Sequence, residues 1–368
     1  MPALRDIAKA AFCIAPGRLG SPTLGPGTDP RTRTDLLPGL TSLQIDGIAP
    51  PPEVPLGRGD DPAAIAEALA ATDASFSIIY ENFPLELPGD NTASNLTIID
   101  ETIQGPDSND LHIRVIRPSD TTGPLPGVLY IHGGGMVILA TRNPVHDIWC
   151  EDLAHAGAVA IQVDFRNGPF PMGLNDCAAV IRWVHANRNR LGLASLILQG
   201  ESGGGNLAIA SALKAKREGW ADAIDGVYAS VPYISGAYDW PEEQMLAELP
   251  SLVENNGYLL DTAAMTILMA GYDPIGEHAK DPLAWPYAAS VGDLRGLPPH
   301  VIAINELDPL RDEGVAFARR LVEAGVKTTN HIKLGIIHGA ELLFRQAIPE
   351  VREFAVADIM RFAKSVAV

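Results

Sequence analysis

The chain has 368 residues, of which 46% are hydrophobic and 20% are charged, and its formal net charge is −18. This length suits a large α/β core with an added lid, and so acidic a surface repels nucleic acid and anionic membranes, so we expect neither as a partner. The three cysteines, Cys13, Cys150 and Cys177, provide no disulfide framework, which favours a reducing cytoplasm.

The N-terminal part of the chain is expected to wrap around the surface of the fold. The apolar stretch at 10–15 is short and ends in Pro-Gly, so we interpret it as a helix of the mature protein and not as a signal peptide. Residues 16–62 are rich in Pro and Gly, which disfavours regular helix or sheet. Asp61 as N-cap and Pro62 in the first turn then predict a helix to about Ala71. We find no run that approaches the ~18 apolar residues of a transmembrane helix.

From residue 96 onwards, predicted strands alternate with predicted helices. Leu111, Ile113 and Val115 alternate with polar residues, as in a half-buried strand, whereas 128–131 and 158–163 are the continuous apolar runs of buried central strands. The predicted helices lie at 144–156, 176–191, 203–218, 312–324 and 349–364. This alternation predicts an α/β protein with a mostly parallel, doubly wound sheet.

Residues 233–290 interrupt the alternation and are rich in Tyr and Trp. A helical insertion here, after the predicted strand near Val227, would lie over the carboxyl ends of the strands as a cap. Its aromatic side chains would either line an apolar pocket or pack the cap onto the core. The expected domains are an N-terminal wrap that contributes to the cap (1–95), a catalytic core (96–232 and 291–368) and a cap insertion (233–290).

Two glycine-rich motifs follow predicted strands. Residues 200–204 read Gly-Glu-Ser-Gly-Gly after an apolar run, which predicts that Ser202 lies on a sharp strand-to-helix turn whose glycines let the backbone crowd. Residues 132–135 read His-Gly-Gly-Gly and can point backbone N–H groups at one oxygen, as acyl transfer requires. This loop lacks the Lys-Ser/Thr ending of a P-loop, so we do not expect it to bind a nucleotide phosphate.

Asp308 and His338 also follow predicted strands, at 301–304 and 332–337. Because the carboxyl ends of parallel strands share one edge of the sheet, we expect both side chains to lie near Ser202. The chain order Ser, Asp, His is that of the α/β-hydrolases. In such a triad, Ser202 attacks an ester carbonyl, His338 takes and returns the proton, and Asp308 orients the imidazole.

These motifs together resemble the hormone-sensitive lipase family of α/β-hydrolases. The resemblance covers roughly residues 100–365 and rests on the motifs at 132–135, 164–166, 200–204, 308–313 and 338–339. The chain departs from the family's usual pattern at Met136, Gly203 and Ala340. The family implies an α/β-hydrolase fold with a helical cap, and an oxyanion hole formed by the backbone N–H groups of Gly134, Gly135 and Gly203.

We therefore expect a serine carboxylesterase that acts on a small apolar ester or lactone through an acyl-enzyme intermediate and needs no cofactor. A lactone, possibly macrocyclic, rests on the resemblance alone. Two alternatives stay open. The same triad could transfer the acyl group to an alcohol or amine, or the chain could be a small-molecule receptor on a hydrolase scaffold, although such receptors typically lose a triad member.

Other residues compete for the catalytic roles. Asp312 and Glu313 fall in the first turn of a predicted helix, where acids stabilise the helix dipole. His331 is expected at the far end of its strand from His338. His132 is expected to brace the glycine loop, and Glu201 to orient the turn rather than to react.

A metal site is not expected. His146 and His155 lack the spacing of a helical metal pair, and no His/Cys/Asp cluster elsewhere suggests zinc.

Overall fold

The computed structural model describes residues 23–86 and 95–367, so the helix expected at 10–15 and Cys13 lie outside the described residues. Its strands are β1 (Leu96–Gln104), β2 (Asp110–Pro118), β3 (Leu125–Ile131), β4 (Val159–Val163), β5 (Leu193–Glu201), β6 (Gly226–Ser230), β7 (His300–Asn305) and β8 (Thr328–Lys333). Its helices are α1 (Leu37–Ser42), α2 (Pro62–Asn82), α3 (Pro144–His155), α4 (Met172–Ala186), α5 (Arg188–Leu191), α6 (Gly203–Glu218), α7 (Glu242–Glu248), α8 (Ser251–Glu254), α9 (Thr262–Tyr272), α10 (Val291–Leu294), α11 (Arg311–Glu323), α12 (Ala340–Leu343) and α13 (Pro349–Ser365), with short 3-10 turns at Ala221–Ala223 and Pro286–Ala288.

The eight strands form one sheet in the order β1-β2-β4-β3-β5-β6-β7-β8. The pairs β1–β2 and β2–β4 are antiparallel, and every other pair is parallel. The prediction of a mostly parallel, doubly wound sheet is confirmed. From β3 the chain passes to β4 on one side and then crosses to β5 on the other side of β3. The strand order therefore reverses at β3, and the carboxyl end of this strand is a topological switch point, where α/β proteins bind ligands.

The sheet has a hydrophobic core on each face. Alternate residues of β3 supply the two cores, since Leu129 and Ile131 pack among the α4, α6 and α11 side chains, and Val128 and Tyr130 among those of α3 and α13. A strand buried on both faces reads as a continuous apolar run, which is why the central strands were visible in the sequence. The cores fix the strands whose carboxyl ends carry the motifs.

The N-terminal segment is more regular than expected. The short helix α1 lies inside the Pro/Gly-rich stretch, and α2 continues past Ala71 to Asn82. The expected N-cap is present, because the Asp61 carboxylate accepts a hydrogen bond from the N–H of Ala63 at 3.2 Å. Helix α2 extends so far because Phe76 and Tyr80 pack against the body of the protein, and tertiary contacts of this kind override the modest helix propensity of its Ser and Thr residues.

Helix α2 also corrects the expectation about membrane spans. It has 21 residues and a mean hydropathy of 1.2, so by length and composition it is the one helix in the described chain that could cross a membrane. Its inward face, however, packs on the cap, where the Leu69 side chain closes on Gly271 of α9. The contacts of α2 are confined to this face, because only 6% of its apolar window is buried.

The segment that carries His338 differs from the prediction of a strand at 332–337. Strand β8 ends at Lys333, and the chain then turns at Gly335, whose φ is +72°. Two side chains at the end of β7 hold this turn, because Glu306 accepts the N–H of Gly335 at 2.8 Å and Asn305 donates to the carbonyl of Ile337 at 2.8 Å. His338 is thus presented by an anchored loop and not by the end of a strand.

Residues 233–290 contain the helices α7, α8 and α9, as the predicted cap requires. Its aromatic residues mostly pack with one another. The Tyr233 and Tyr238 rings stack at 4.3 Å between centroids, and Trp285 meets Tyr233 edge-on at 5.7 Å. The division into wrap, core and cap remains a proposal that these elements fit.

Candidate active site

Ser202 occupies a strained turn between β5 and α6. Its φ and ψ are 56° and −121°, a conformation that few non-glycine residues adopt. The flanking glycines are needed at this turn. A Cβ on Gly200 would lie 2.3 Å from the carbonyl oxygen of Gly204, and a Cβ on Gly204 would lie 1.9 Å from that of Ile131. The turn lifts the Ser202 hydroxyl out of the sheet and places the N-terminus of α6 behind it.

His338 and Asp308 are in direct contact. The His338 Nδ1 lies 2.8 Å from the Asp308 Oδ2, and Asp308 is fully buried whereas His338 is 8% exposed. With Nδ1 held by a carboxylate, the imidazole keeps its Nε2 lone pair for a proton from elsewhere. The residues predicted to orient and to accept the proton are therefore paired as the triad chemistry requires.

The Asp308 carboxylate is fixed by its own loop and by the cap. Its Oδ1 accepts the N–H of Leu310 at 2.9 Å, and its backbone carbonyl accepts a hydrogen bond from the buried Asn255 of the cap at 3.0 Å. Because both carboxylate oxygens have a donor, the side chain has one favoured orientation. The cap thus contributes directly to the position of the acid.

The loop 132–135, the oxyanion loop, lies against the start of α6. Gly134 and Gly135 have φ values of +92° and +59°, and a Cβ on Gly203 would lie 2.7 Å from the N of Gly135. None of the hydrogen bonds among the described residues occupies the N–H groups of Gly134, Gly135 or Gly203. Three backbone donors from two segments are therefore free at one place beside Ser202.

These residues share one partly enclosed cavity. Ser202, His338 and residues 133–135 all line it, and its volume is only about 50 Å³. No hydrogen bond links Ser202 to His338 within the described chain, and such contacts are often long before substrate binds. Sites for drug-sized ligands hold roughly 300–1,000 Å³, so a bulky substrate must displace part of the wall.

The wall of the cavity is apolar. It combines side chains from α2 and the residue after it, the oxyanion-loop region, the cap and the segment after His338: Phe76, Ile79, Tyr80, Phe83, Ile138, Leu139, Tyr233, Leu259, Leu260, Met265, Leu268, Leu342 and Leu343. The Leu268 side chain of α9 rests on Gly135, 3.0 Å from where a Cβ would be. Of the described residues that line the wall, those with an ionisable side chain are His338, Glu201 and two tyrosines, Tyr80 and Tyr233.

A wider groove of about 790 Å³ lies on a different face of α9, between the cap and the residues before α2. Thr262 and Thr266 line it, and it contains none of the predicted catalytic residues. Size alone would favour this groove, but Ser202 and His338 line the smaller cavity.

The competing residues are placed elsewhere. Asp312 accepts the N–H of Ser251 at 2.7 Å and pairs with Arg311, away from the imidazole. His331 lies within β8 and not at its far end, which corrects the expectation, and its ring is 3.9 Å from Asp358. Neither residue lines the cavity.

Glu313 has a role that the sequence did not reveal. It is 1% exposed and accepts four hydrogen bonds, from the N–H groups of Ile234 and Ser235, the Ser235 hydroxyl and the Tyr238 hydroxyl. Burial raises the pKa of Glu313 to about 7. Glu313 thus anchors the first residues of the cap to α11, the helix that follows Asp308. The sequence places Glu313 in the first turn of a helix and assigns it to the helix dipole. Nothing in the sequence indicates that its carboxylate reaches the cap.

Within the described chain, no group of three or more His, Cys, Asp and Glu side chains could hold a metal ion. Cys150 and Cys177 are both buried as free thiols. Burial raises the pKa of each well above its usual value, so neither is a reactive thiolate.

The chain is similar to proteins of known kind. Residues 128–342 match a family model described as the alpha/beta hydrolase fold. A carboxylesterase, NlhH, from Mycobacterium tuberculosis is 32% identical over 258 residues, which cover 66% of this chain and 75% of the relative.

Two solved structures are also similar. Brefeldin A esterase, described as a bacterial homologue of human hormone-sensitive lipase, is 49% identical with a TM-score of 0.93, over 96% of this chain and 99% of the other. The esterase Est22 is 36% identical with a TM-score of 0.81, over 92% and 99% of the two chains.

Proposed function

The chain belongs to the alpha/beta hydrolase fold family, and we propose that it is a serine carboxylesterase that hydrolyses apolar carboxylic esters through an acyl-enzyme on Ser202. The resemblance to the hormone-sensitive lipase family is confirmed by the similarity to brefeldin A esterase. The observation that carries the proposal is the pairing of His338 with the buried Asp308 in the cavity that Ser202 lines.

The reaction begins with attack of the Ser202 Oγ on the ester carbonyl carbon. The His338 Nε2 takes the hydroxyl proton and gives it to the leaving alcohol, while Asp308 stabilises the imidazolium that forms. A water molecule then attacks the acyl-enzyme with the same imidazole as base, which releases the acid and restores Ser202. Each step needs only groups of this chain, so no cofactor is required.

Negative charge develops on the carbonyl oxygen in both tetrahedral intermediates. The free N–H groups of Gly134, Gly135 and Gly203 are the donors that we assign to this oxygen. Loss of one such donor typically lowers the rate on the order of 10²- to 10³-fold. Because the donors are backbone groups with fixed directions, they stabilise the intermediate without reorganising.

The substrate we propose is an uncharged, apolar ester or lactone. Among the described residues, no Lys or Arg lines the wall to pair with a substrate carboxylate, and burying a charge there without a partner is costly. The similarity to brefeldin A esterase supports a macrocyclic lactone as one member of this class. The small cavity volume means that such a substrate enters only if part of the wall moves. A cytoplasmic location remains a prediction from the cysteine content.

The test is steady-state hydrolysis of a p-nitrophenyl acyl series by the wild type and by Ser202→Ala. We expect the wild type to hydrolyse p-nitrophenyl esters and the kcat of the variant to be at least about 10⁴-fold lower. Ser211→Ala is the matched control, because Ser211 is buried on α6, the helix that follows Ser202, with its hydroxyl unpartnered among the described residues. Equal activity of wild type and Ser202→Ala would show that Ser202 is not the nucleophile. Binding of substrate without turnover would favour a receptor, and product that depends on added alcohol would favour acyl transfer.

A further inference from the structure

Glu201, the residue before Ser202, holds the oxyanion loop in place. It is 5% exposed at the end of β5, and its Oε1 accepts two hydrogen bonds. One comes from the N–H of Gly133 at 2.7 Å, and the other from the Tyr130 hydroxyl at 2.9 Å. Gly133 is the residue directly before the proposed oxyanion donors. The Oε1 of Glu201 therefore ties the nucleophile turn to the loop that must meet the substrate's carbonyl oxygen.

The second oxygen of the same carboxyl group makes no hydrogen bond. The Oε2 of Glu201 is buried and has no hydrogen-bond partner among the described residues. No Lys or Arg of the described chain pairs with Glu201. The nitrogen at ion-pair distance belongs to His146, whose Nε2 lies 3.9 Å from Oε1. Burial lowers the pKa of His146 to about 4, so this imidazole is neutral in either tautomer. A charged Glu201 would thus be a buried anion without a counter-ion, which is strongly unfavourable.

The other ionisable groups around Glu201 do not supply a positive charge. They are Tyr80 on α2, Tyr130 on β3, His132 in the oxyanion loop, His146 and Cys150 on α3, and Glu341 on α12. His338 lines the same cavity, but its ring pairs with Asp308 and not with Glu201. Burial lowers the pKa of His132 to about 3 and raises those of the tyrosines and Cys150, so all of these are neutral. Glu341 is negative and pairs with Lys333 at 3.1 Å.

We propose that Glu201 is a positioning residue for the oxyanion loop and that it acts as an uncharged hydrogen-bond acceptor, with its proton on Oε2. This inference rests on the proposed function, since it concerns the rate of the same reaction. In the protonated form, Oε1 still accepts the hydrogen bonds from the Gly133 N–H and the Tyr130 hydroxyl, and no unpaired charge is buried. It also keeps a negative charge away from the oxygen on which negative charge develops. Burial raises the pKa of Glu201 to about 8, in agreement with an uncharged side chain at neutral pH.

The inference makes two demands that a merely structural role does not. First, an acceptor without charge must suffice, so Glu201→Gln should keep kcat within about threefold of the wild type, whereas Glu201→Ala should lose on the order of 10²-fold or more in kcat with little change in KM. Second, the wild type should lose kcat as the pH rises through about 8, because ionised Glu201 destabilises the oxyanion. Glu201→Gln cannot ionise, so its alkaline limb should be absent.

The experiment is to measure kcat and KM from pH 6 to 10 for the wild type, Glu201→Gln, Glu201→Ala and the exposed control Glu353→Ala. The activity of the wild type and its loss in Ser202→Ala first establish the esterase, so failure of the proposed function is seen separately. The inference is supported if Glu201→Gln keeps its kcat at neutral pH and this kcat does not fall at alkaline pH. A Glu201→Gln variant as slow as Glu201→Ala, or one with the alkaline limb of the wild type, overturns it. If Glu201→Ala does not fold, the pH profile of Glu201→Gln still decides.

Discussion

The change Asp308→Asn tests whether the buried acid fixes the imidazole. In the wild type, Oδ1 accepts the N–H of Leu310 at 2.9 Å and Oδ2 faces the His338 Nδ1 at 2.8 Å. The new amide keeps the Leu310 bond only if its NH₂ group faces Nδ1. The imidazole must then accept at Nδ1 and carry its hydrogen on Nε2, where it cannot take the proton of Ser202. The opposite amide orientation sets NH₂ against the Leu310 N–H, which costs about 1–3 kcal/mol.

Both orientations also remove the negative charge that stabilises the imidazolium. Loss of the correct tautomer in a serine triad lowers kcat on the order of 10⁴-fold, equivalent to about 5 kcal/mol at 1.36 kcal/mol per tenfold. Because the flipped amide restores the tautomer in part of the population, we expect a fall of about 10³- to 10⁴-fold in kcat. The assay is hydrolysis of a short p-nitrophenyl ester, with circular dichroism to verify folding.

The matched control for this prediction is Asp312→Asn. Asp312 is an acid four residues further on, and it contacts Ser251 and Arg311 instead of the imidazole. We expect its kcat to stay within about threefold of the wild type. A loss of less than about tenfold in Asp308→Asn would refute the reasoning, and a large loss confined to Asp312→Asn would identify the other carboxylate as the acid.

Three further changes follow from the packing. Glu313→Ala leaves four buried donors without an acceptor, so we expect the free energy of unfolding in urea to fall by about 2–4 kcal/mol, whereas the exposed Glu323→Ala on the same helix should change it by less than about 0.5 kcal/mol. Gly204→Ala places a methyl group 1.9 Å from a carbonyl oxygen and should abolish soluble active enzyme, whereas Gly292→Ala, where the nearest atom is 3.6 Å away, should express and react normally. Leu268→Ala opens the cavity beside the oxyanion loop, so the acyl chain length with the highest kcat/KM should increase, and an unchanged chain-length profile would show that this side chain does not bound the acyl site.

The positions of the motifs could be predicted because they depend on local sequence signals. The apolar runs before Ser202 and Asp308 belong to strands buried on both faces, and such strands leave a continuous hydrophobic signature. Parallel pairing then brings their carboxyl ends to one edge without further information. The glycines around Ser202 and in the oxyanion loop mark places where backbones approach too closely for a side chain.

What the sequence could not provide depends on contacts between distant parts of the chain. The turn after β8 looked like a strand because Ile332 to Ile337 is largely apolar. Only Ile336 and Ile337 are buried, whereas Ile332 and Leu334 are exposed. The two buried side chains cover the core from a loop that Asn305 and Glu306 hold. Helix α2 was expected to end near Ala71. Its second half is stabilised by the packing of Phe76 and Tyr80 against distant parts of the chain, which the local sequence does not show. The sequence showed that residues 313 and 201 are acids. It could not show that Glu313 accepts four hydrogen bonds from the cap, or that one carboxyl oxygen of Glu201 is buried without a hydrogen-bond partner, because both properties depend on the folded chain.

Part of the cavity wall comes from a helix outside the span that matches the family model. Helix α2, at 62–82, precedes the span 128–342 that matches the family model, yet Phe76, Ile79 and Tyr80 on this helix line the space beside Ser202. The elements that carry Ser202, Asp308 and His338 all lie downstream of α2. Recombination or directed evolution confined to codons 62–86 could therefore retune which esters are accepted while the reactive groups keep their alignment, which makes this helix a natural unit for building chimeric esterases.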